Sequence, residues 1–214
     1  DGFPARSIYA VNEPTIKAMH GSGGPTAEWT ATPDGQWEWK GDTSSDEMLA
    51  QVYETMLFLE LVANDEERVW ATEHLYRIVG HVVDNGWVLR DADGEPTRWA
   101  RWDPAYLQVA QGYAERGLNA LQAFGFINAA QHFTQDPKFD AGKQELIGFG
   151  YPDALIRQKR TFHPGFYTSF VDRLAFFGYF PFLNYETDPT LRSIGLRSLE
   201  RSWEVKRIEG SPWF

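Results

Sequence analysis

The stretch GLNALQAFGFINAAQHFTQDPKFDAGKQELI, Gly117 to Ile147, decides the fold. Its first half is apolar nearly all round, which is the pattern of a helix buried on several sides. Asp136 follows, with Pro137 at the first helical position, and the two together signal the start of a second helix. The unit is therefore a buried helix, a short turn and an amphipathic partner. It recurs in DRLAFFGYFPFLNYETDPTLRSIGLRSLERSW, Asp172 to Trp203, where Asp188 and Pro189 hold the turn. It occurs once more after Thr43, with Asp65 and Glu66 at the equivalent turn. Three copies predict three helical hairpins over about residues 44–85, 115–150 and 168–206.

In the first copy Leu49, Val52, Tyr53, Met56 and Leu57 recur at helical spacing, and Phe58, Leu59 and Leu61 make the second half apolar all round. In its partner Trp70, Leu75, Ile78, Val79, Val82 and Val83 form one stripe, and Gly86 after Asn85 is a stop signal. Between the first two hairpins, VLRDADGEPTRWARWDP (Val88 to Pro104) centres on Asp93-Gly94, which predicts a β-hairpin near 87–99. Residues 1–40, rich in Gly, Pro, Thr and Trp, show no periodicity. They are read as an irregular segment packed on a helical domain spanning 41–214. The expected class is all-α, with helical hairpins of the (α/α) toroid kind. Three hairpins make part of a ring, so the remainder of a longer chain or a second copy is expected to complete it. The start at Asp1 fits a removed leader or a segment of something longer.

The net charge is −10, from 20 Lys and Arg against 30 Asp and Glu, and no basic run offers a nucleic-acid footprint. There is no cysteine, which excludes disulfides, thiolate zinc sites and cysteine nucleophiles. No stretch has the length of apolar sequence that a membrane span needs. The five histidines lack metal-ligand spacing, no HExxH occurs, and Asp91-x-Asp93-Gly94 matches only the start of a calcium loop. No metal or cofactor is expected. GxSxG, GxGxxG and GxxxxGK[ST] are absent too.

In GDTSSDE (Gly41 to Glu47) two capping boxes overlap, Ser44-x-x-Glu47 and Thr43-x-x-Asp46. Either one leaves Asp42 over, ahead of the first inner helix and near Trp37 and Trp39. It is the first candidate for a carboxylate facing a substrate. Asp172 is the second. It lies at the start of the third inner helix among Phe170, Val171, Leu174 and Phe176, where desolvation suits a general acid; the structural alternative is a dipole acid or a pair with Arg173. The second inner helix carries Glu115, Asn119, Gln122, Asn128 and His132, polar groups that need partners in neighbouring helices or in a ligand. Nine tryptophans, many outside the helical runs, either plug loops onto the core or present flat faces to a sugar ring. Trp37, Trp39, Trp99 and Trp102 are the candidates for the second role.

At GDTSSDE, DADGEPTRWARWDP, ERGLNALQAFGFINAAQHFTQDPKF and LAFFGYFPFLNYETDPTLRSIGLRSLERSWE, the chain resembles a bacterial family linked to six-hairpin, glycosidase-like (α/α) toroids. The resemblance spans about Trp37 to Trp203 and brings no catalytic assignment with it. A pair of acids precedes the Leu-Ala-Phe step in that family, whereas here the step reads Val171-Asp172-Arg173. The resemblance implies a carbohydrate-active protein; export to the periplasm or beyond is expected, with the cytoplasm as the alternative, since a chain without cysteine suits either. The leading expectation is a glycoside hydrolase with Asp42 and Asp172 as its carboxylates and the tryptophans and Asn119 on the sugar. One alternative is a polysaccharide lyase, with His163 or Tyr167 taking a proton and Arg98 or Arg101 holding a uronate. The other is a non-catalytic carbohydrate-binding or structural helical domain.

Overall fold

A computed structural model describes residues 2–13, 29–158 and 169–209. Strands β1 (Ser7–Ala10), β2 (Trp29–Ala31) and β3 (Trp37–Lys40) come first, followed by helices α1 (Ser45–Leu61) and α2 (Asp65–Asp84). Strands β4 (Val88–Arg90) and β5 (Pro96–Arg101) and the short helix α3 (Pro104–Leu107) lead to α4 (Arg116–Thr134) and α5 (Pro137–Gly148). A short α6 (Tyr151–Leu155) then precedes α7 (Ser169–Tyr185) and α8 (Pro189–Glu209). The described residues are mostly helical, and none of their helices is long and apolar enough to cross a membrane.

The three hairpins are α1–α2, α4–α5 and α7–α8, each within a few residues of its expected place. Their caps are local. Asp136 accepts from the Lys138 amide at 2.8 Å, and Asp188 Oδ1 from the amides of Thr190 and Leu191 at 2.7 and 3.0 Å. In the first hairpin the cap is Asn64, one residue earlier than Asp65. Its Oδ1 takes the amides of Glu66 and Glu67, while Glu67 returns a carboxylate oxygen to the Asn64 amide at 2.9 Å. A capping box therefore replaces the Asp-first start expected there.

Helix α4 is the centre of the molecule, with an unbroken buried run from Asn119 to Ala130. It packs on α1 and α7, and those two also touch each other, with Tyr53 stacked on Phe177 at 4.5 Å. The three first helices thus pack as a triangle. Between α4 and α7 the backbones come close: a Cβ on Gly125 would stand 3.1 Å from the Gly178 carbonyl oxygen. The buried stripe of α2 is Ala71, Leu75, Ile78, Val79 and Val82. Trp70, expected in it, is instead 55% exposed and lies against Phe58.

Of the segment before residue 41, read as irregular, the described residues carry three strands. Its described strands form an antiparallel sheet in the order β1-β3-β2, with Ser7 opposite Lys40 and Trp29 opposite the same Lys40. It docks on the helices through Thr43, whose hydroxyl donates to the Pro4 carbonyl at 2.7 Å, and through the ion pair of Arg6 with Glu47. The expected β-hairpin forms from β4 and β5, with Gly94 at φ 83° in a turn closed by Asp91 and Glu95.

Candidate functional site

The N-terminal ends of α1, α4 and α7 meet at one cleft of about 460 Å³. Ser44, Ser45 and Asp46 come from the first, Glu115, Leu118 and Asn119 from the second, and Val171 and Leu174 from the third. Arg6, Trp99 and Gln158 complete the polar and aromatic lining. Each helix start presents amides and a positive dipole end, and Asp46 and Glu115 set negative charge against that potential.

Ser44 is the N-cap of α1, and its amide donates to Glu47 Oε2 at 2.8 Å, so the Ser44–Glu47 register of the two overlapping boxes is the one formed. Asp46 is left exposed at the cleft, accepting from the Ser44 hydroxyl. Glu115 stands at the start of α4, where the Tyr106 hydroxyl donates to its Oε2 at 3.3 Å. Burial, together with that carboxylate, raises the Tyr106 phenol above its ordinary pKa. Asn119, only 2% exposed, donates to the Arg101 carbonyl at 2.9 Å. Gln158, 4% exposed, accepts from Ser202 at 3.1 Å and Tyr179 at 3.3 Å, while its amide nitrogen has no acceptor among the described residues. A buried donor at a cleft wall without an acceptor is a group that a bound hydroxyl can satisfy.

Of the ten residues expected at a site, eight are described, and of these Trp99 and Asn119 line this cleft. Trp99 is 51% exposed, with the Arg98 guanidinium 6.0 Å from its ring. Trp102 is fully buried, its indole donating to Gln122 at 3.0 Å, so it is a core residue and no sugar platform. Trp37 and Trp39 lie on β3 and are not part of the lining of the cleft. Trp37 is exposed, and Trp39 packs on Phe3 at 5.8 Å. His163 and Tyr167 lie outside the described residues. No group of three His, Asp or Glu able to hold a metal occurs among the described residues.

Neither Asp42 nor Asp172 lines this cleft, and each is held by a cation. Asp42 adopts φ 53°, a left-handed conformation that Asp tolerates better than most residues. Its carboxylate takes the Arg98 amide at 3.1 Å and the Arg98 guanidinium at 2.9 and 2.6 Å, and its own amide donates to Asp91. It therefore straps the entry of α1 to both arms of the β4–β5 hairpin, a structural role invisible in its local sequence. Asp172, 1% exposed, pairs with the fully buried Lys206 of α8, a partner one helix further on than the sequence suggested. Arg101, the other arginine considered for a uronate, is engaged by Asp103 at 2.7 and 3.0 Å.

Burial opposes ionisation of Asp42, but the hydrogen bonds and charge of Arg98 outweigh it and hold the carboxyl below its ordinary pKa. A lowered folded value means that the ion pair stabilises fully above the unfolded value, about 4, and that this is lost as pH falls through the folded value. Asp42→Asn is therefore expected to lower stability by about 1–3 kcal/mol at neutral pH and to reduce the decline in acid. Thermal midpoints measured from pH 7 to pH 3 check this. Equal midpoints for the two proteins throughout would remove the strap.

Asp46 was visible in the sequence as a capping-box acid, and Glu115 as one of several polar residues of the second inner helix in need of a partner, but nothing local marked either for a cleft. Arg6 and Gln158 gave no signal, because each reaches the cleft through a contact distant along the chain. Comparison with protein-family models, with curated proteins and with solved structures gave no match.

Proposed function

We propose that this is a carbohydrate-active protein whose glycan lies in the cleft at the starts of α1, α4 and α7. The supporting observation is that one cleft combines the open face of Trp99 with carboxylates, an arginine and buried carboxamides. A flat aromatic face suits the C–H face of a pyranose, and Asn119, Gln158 and the two acids suit its hydroxyls. A hydrolytic step would use Asp46 and Glu115, the carboxylates lining the cleft among the described residues. One would protonate the leaving oxygen and the other would act on the opposite face as base or nucleophile.

The lyase alternative has less support, since Arg98 and Arg101 are both engaged by carboxylates. The (α/α) toroid is part of the same proposal. It is supported by three successive hairpins whose first helices start at one cleft, and a larger ring would have to open the contact between α1 and α7. Export to the periplasm or beyond follows only from the carbohydrate assignment.

The experiment is titration of the protein against a panel of neutral and acidic oligosaccharides, with release of reducing ends followed in parallel. Trp99→Ala is expected to weaken the best ligand by about tenfold or more, as loss of an aromatic anchor does. Asp46→Asn and Glu115→Gln are expected to abolish turnover while keeping affinity. Binding without turnover in the unaltered protein selects the non-catalytic reading. A panel with no ligand, or undiminished binding by Trp99→Ala, ends the proposal.

A further inference from the structure

A second cleft, of about 680 Å³, is lined by Arg116 of α4, Arg157 after α6 and Arg197 of α8, with Asp153, Phe149 and Tyr151 beside them. Three arginines around one cleft stand out in a chain of net charge −10. Among the described residues none of the three makes an ion pair. Arg116 lies over the exposed ring of Tyr113, its guanidinium carbon 3.9 Å from the centroid.

The backbones that carry these arginines are fixed by buried contacts. A Cβ on Gly117 would stand 2.8 Å from Gln158 Cα and 3.0 Å from the Arg157 carbonyl oxygen, so only glycine lets α4 begin this close to residues 157 and 158. Ser198, next to Arg197, is buried and donates to the Leu155 carbonyl at 2.5 Å, which ties α8 to the end of α6. Three mutually repelling cations are thus held around one space with one acid, Asp153, in the lining. Such an arrangement is relieved by an anion.

We infer that this cleft binds a small-molecule phosphate or sulfate ester. Guanidinium groups are planar forks that engage oxyanions bidentately. Three forks carry more donors than the two oxygens of a carboxylate can fill, whereas an ester phosphate or sulfate presents three terminal oxygens. The cleft has room for more than the anion, and the half-buried Phe149 and Ile156 supply apolar surface for the group that carries it.

Calorimetric titration tests this with glucose 6-phosphate, glucose 6-sulfate, glucuronate, inorganic phosphate and glucose. One or both esters should bind, more weakly as salt is raised, with the stronger identifying the source of the anion. Glucose should not bind detectably, and glucuronate and inorganic phosphate should bind about tenfold more weakly or worse. Arg157→Gln and Arg197→Gln, both at exposed positions, should each weaken the ester by about tenfold and leave the thermal midpoint unchanged. Trp99→Ala, in the other cleft, should leave ester binding intact. The inference is overturned if neither ester binds, if glucuronate or inorganic phosphate equals the ester, or if Arg157→Gln and Arg197→Gln bind as before.

Discussion

Asp172→Leu is expected to lower the free energy of unfolding by about 3–5 kcal/mol, because it takes from the buried Lys206 ammonium the carboxylate it pairs with. Lys206 is 0% exposed and Asp172 1% exposed, so neither end can reach water by a small movement. Lys206→Met should be as damaging for the mirror reason. The double variant Asp172→Leu/Lys206→Met should recover most of the loss, since removing both charges removes both desolvation penalties. Urea unfolding of the four proteins reads this directly. A single variant that loses under about 1 kcal/mol would mean that the pair is open to water.

Glu186→Ala is expected to have an effect of similar size, about 3–5 kcal/mol, through a different set of partners. Its Oε1 accepts from the Lys143 ammonium and from the Asp188 amide, both at 2.9 Å, and its Oε2 accepts from Asn128 at 3.1 Å. One carboxylate thus joins α4, α5 and the α7–α8 turn, with Lys143 only 7% exposed. Among the described residues, removing it leaves the buried ammonium with only the neutral Gln131 oxygen at 3.2 Å, and the Asn128 amide with only the Phe182 carbonyl at 3.4 Å. Glu186→Gln should lose less, because its carbonyl can still accept from Lys143. Equal urea midpoints for Glu186→Ala and the unaltered protein would show that the network contributes nothing.

The hairpins were legible in the sequence because their determinants are local. Apolar residues three and four apart, an Asp before a Pro and a glycine stop are all read within one turn of helix. The N-terminal sheet was not legible. Its strands are three or four residues long, and Ser7 finds its partner at Lys40, across a stretch with no alternation of polar and apolar residues. The same distance explains the site. Asp42 looked spare because Arg98 is 56 residues away, and Asp172 looked reactive because its counter-ion waits on the next helix. Trp102, set among polar residues, turned inward because Gln122 offers its indole a buried acceptor. Local reading therefore found the carboxylates but not which of them already had cations. Trp99 and Asn119 were placed at a cleft for reasons of residue type alone; of the acids beside them, Asp46 had been read as a capping-box acid and Glu115 as a polar residue of an inner helix in need of a partner.

The triangular packing of α1, α4 and α7 bears on how the molecule comes apart. In a solenoid each repeat touches only its neighbours, so terminal repeats can fray while the rest persists. Here the first hairpin also grips the third, through Tyr53 on Phe177 and through the Tyr185 hydroxyl on Glu60 at 2.8 Å. Peeling off either end would bare apolar surface on both of the other hairpins. No repeat can leave alone, and heat or denaturant meets one cooperative unit in which the chain's internal repetition has no thermodynamic echo.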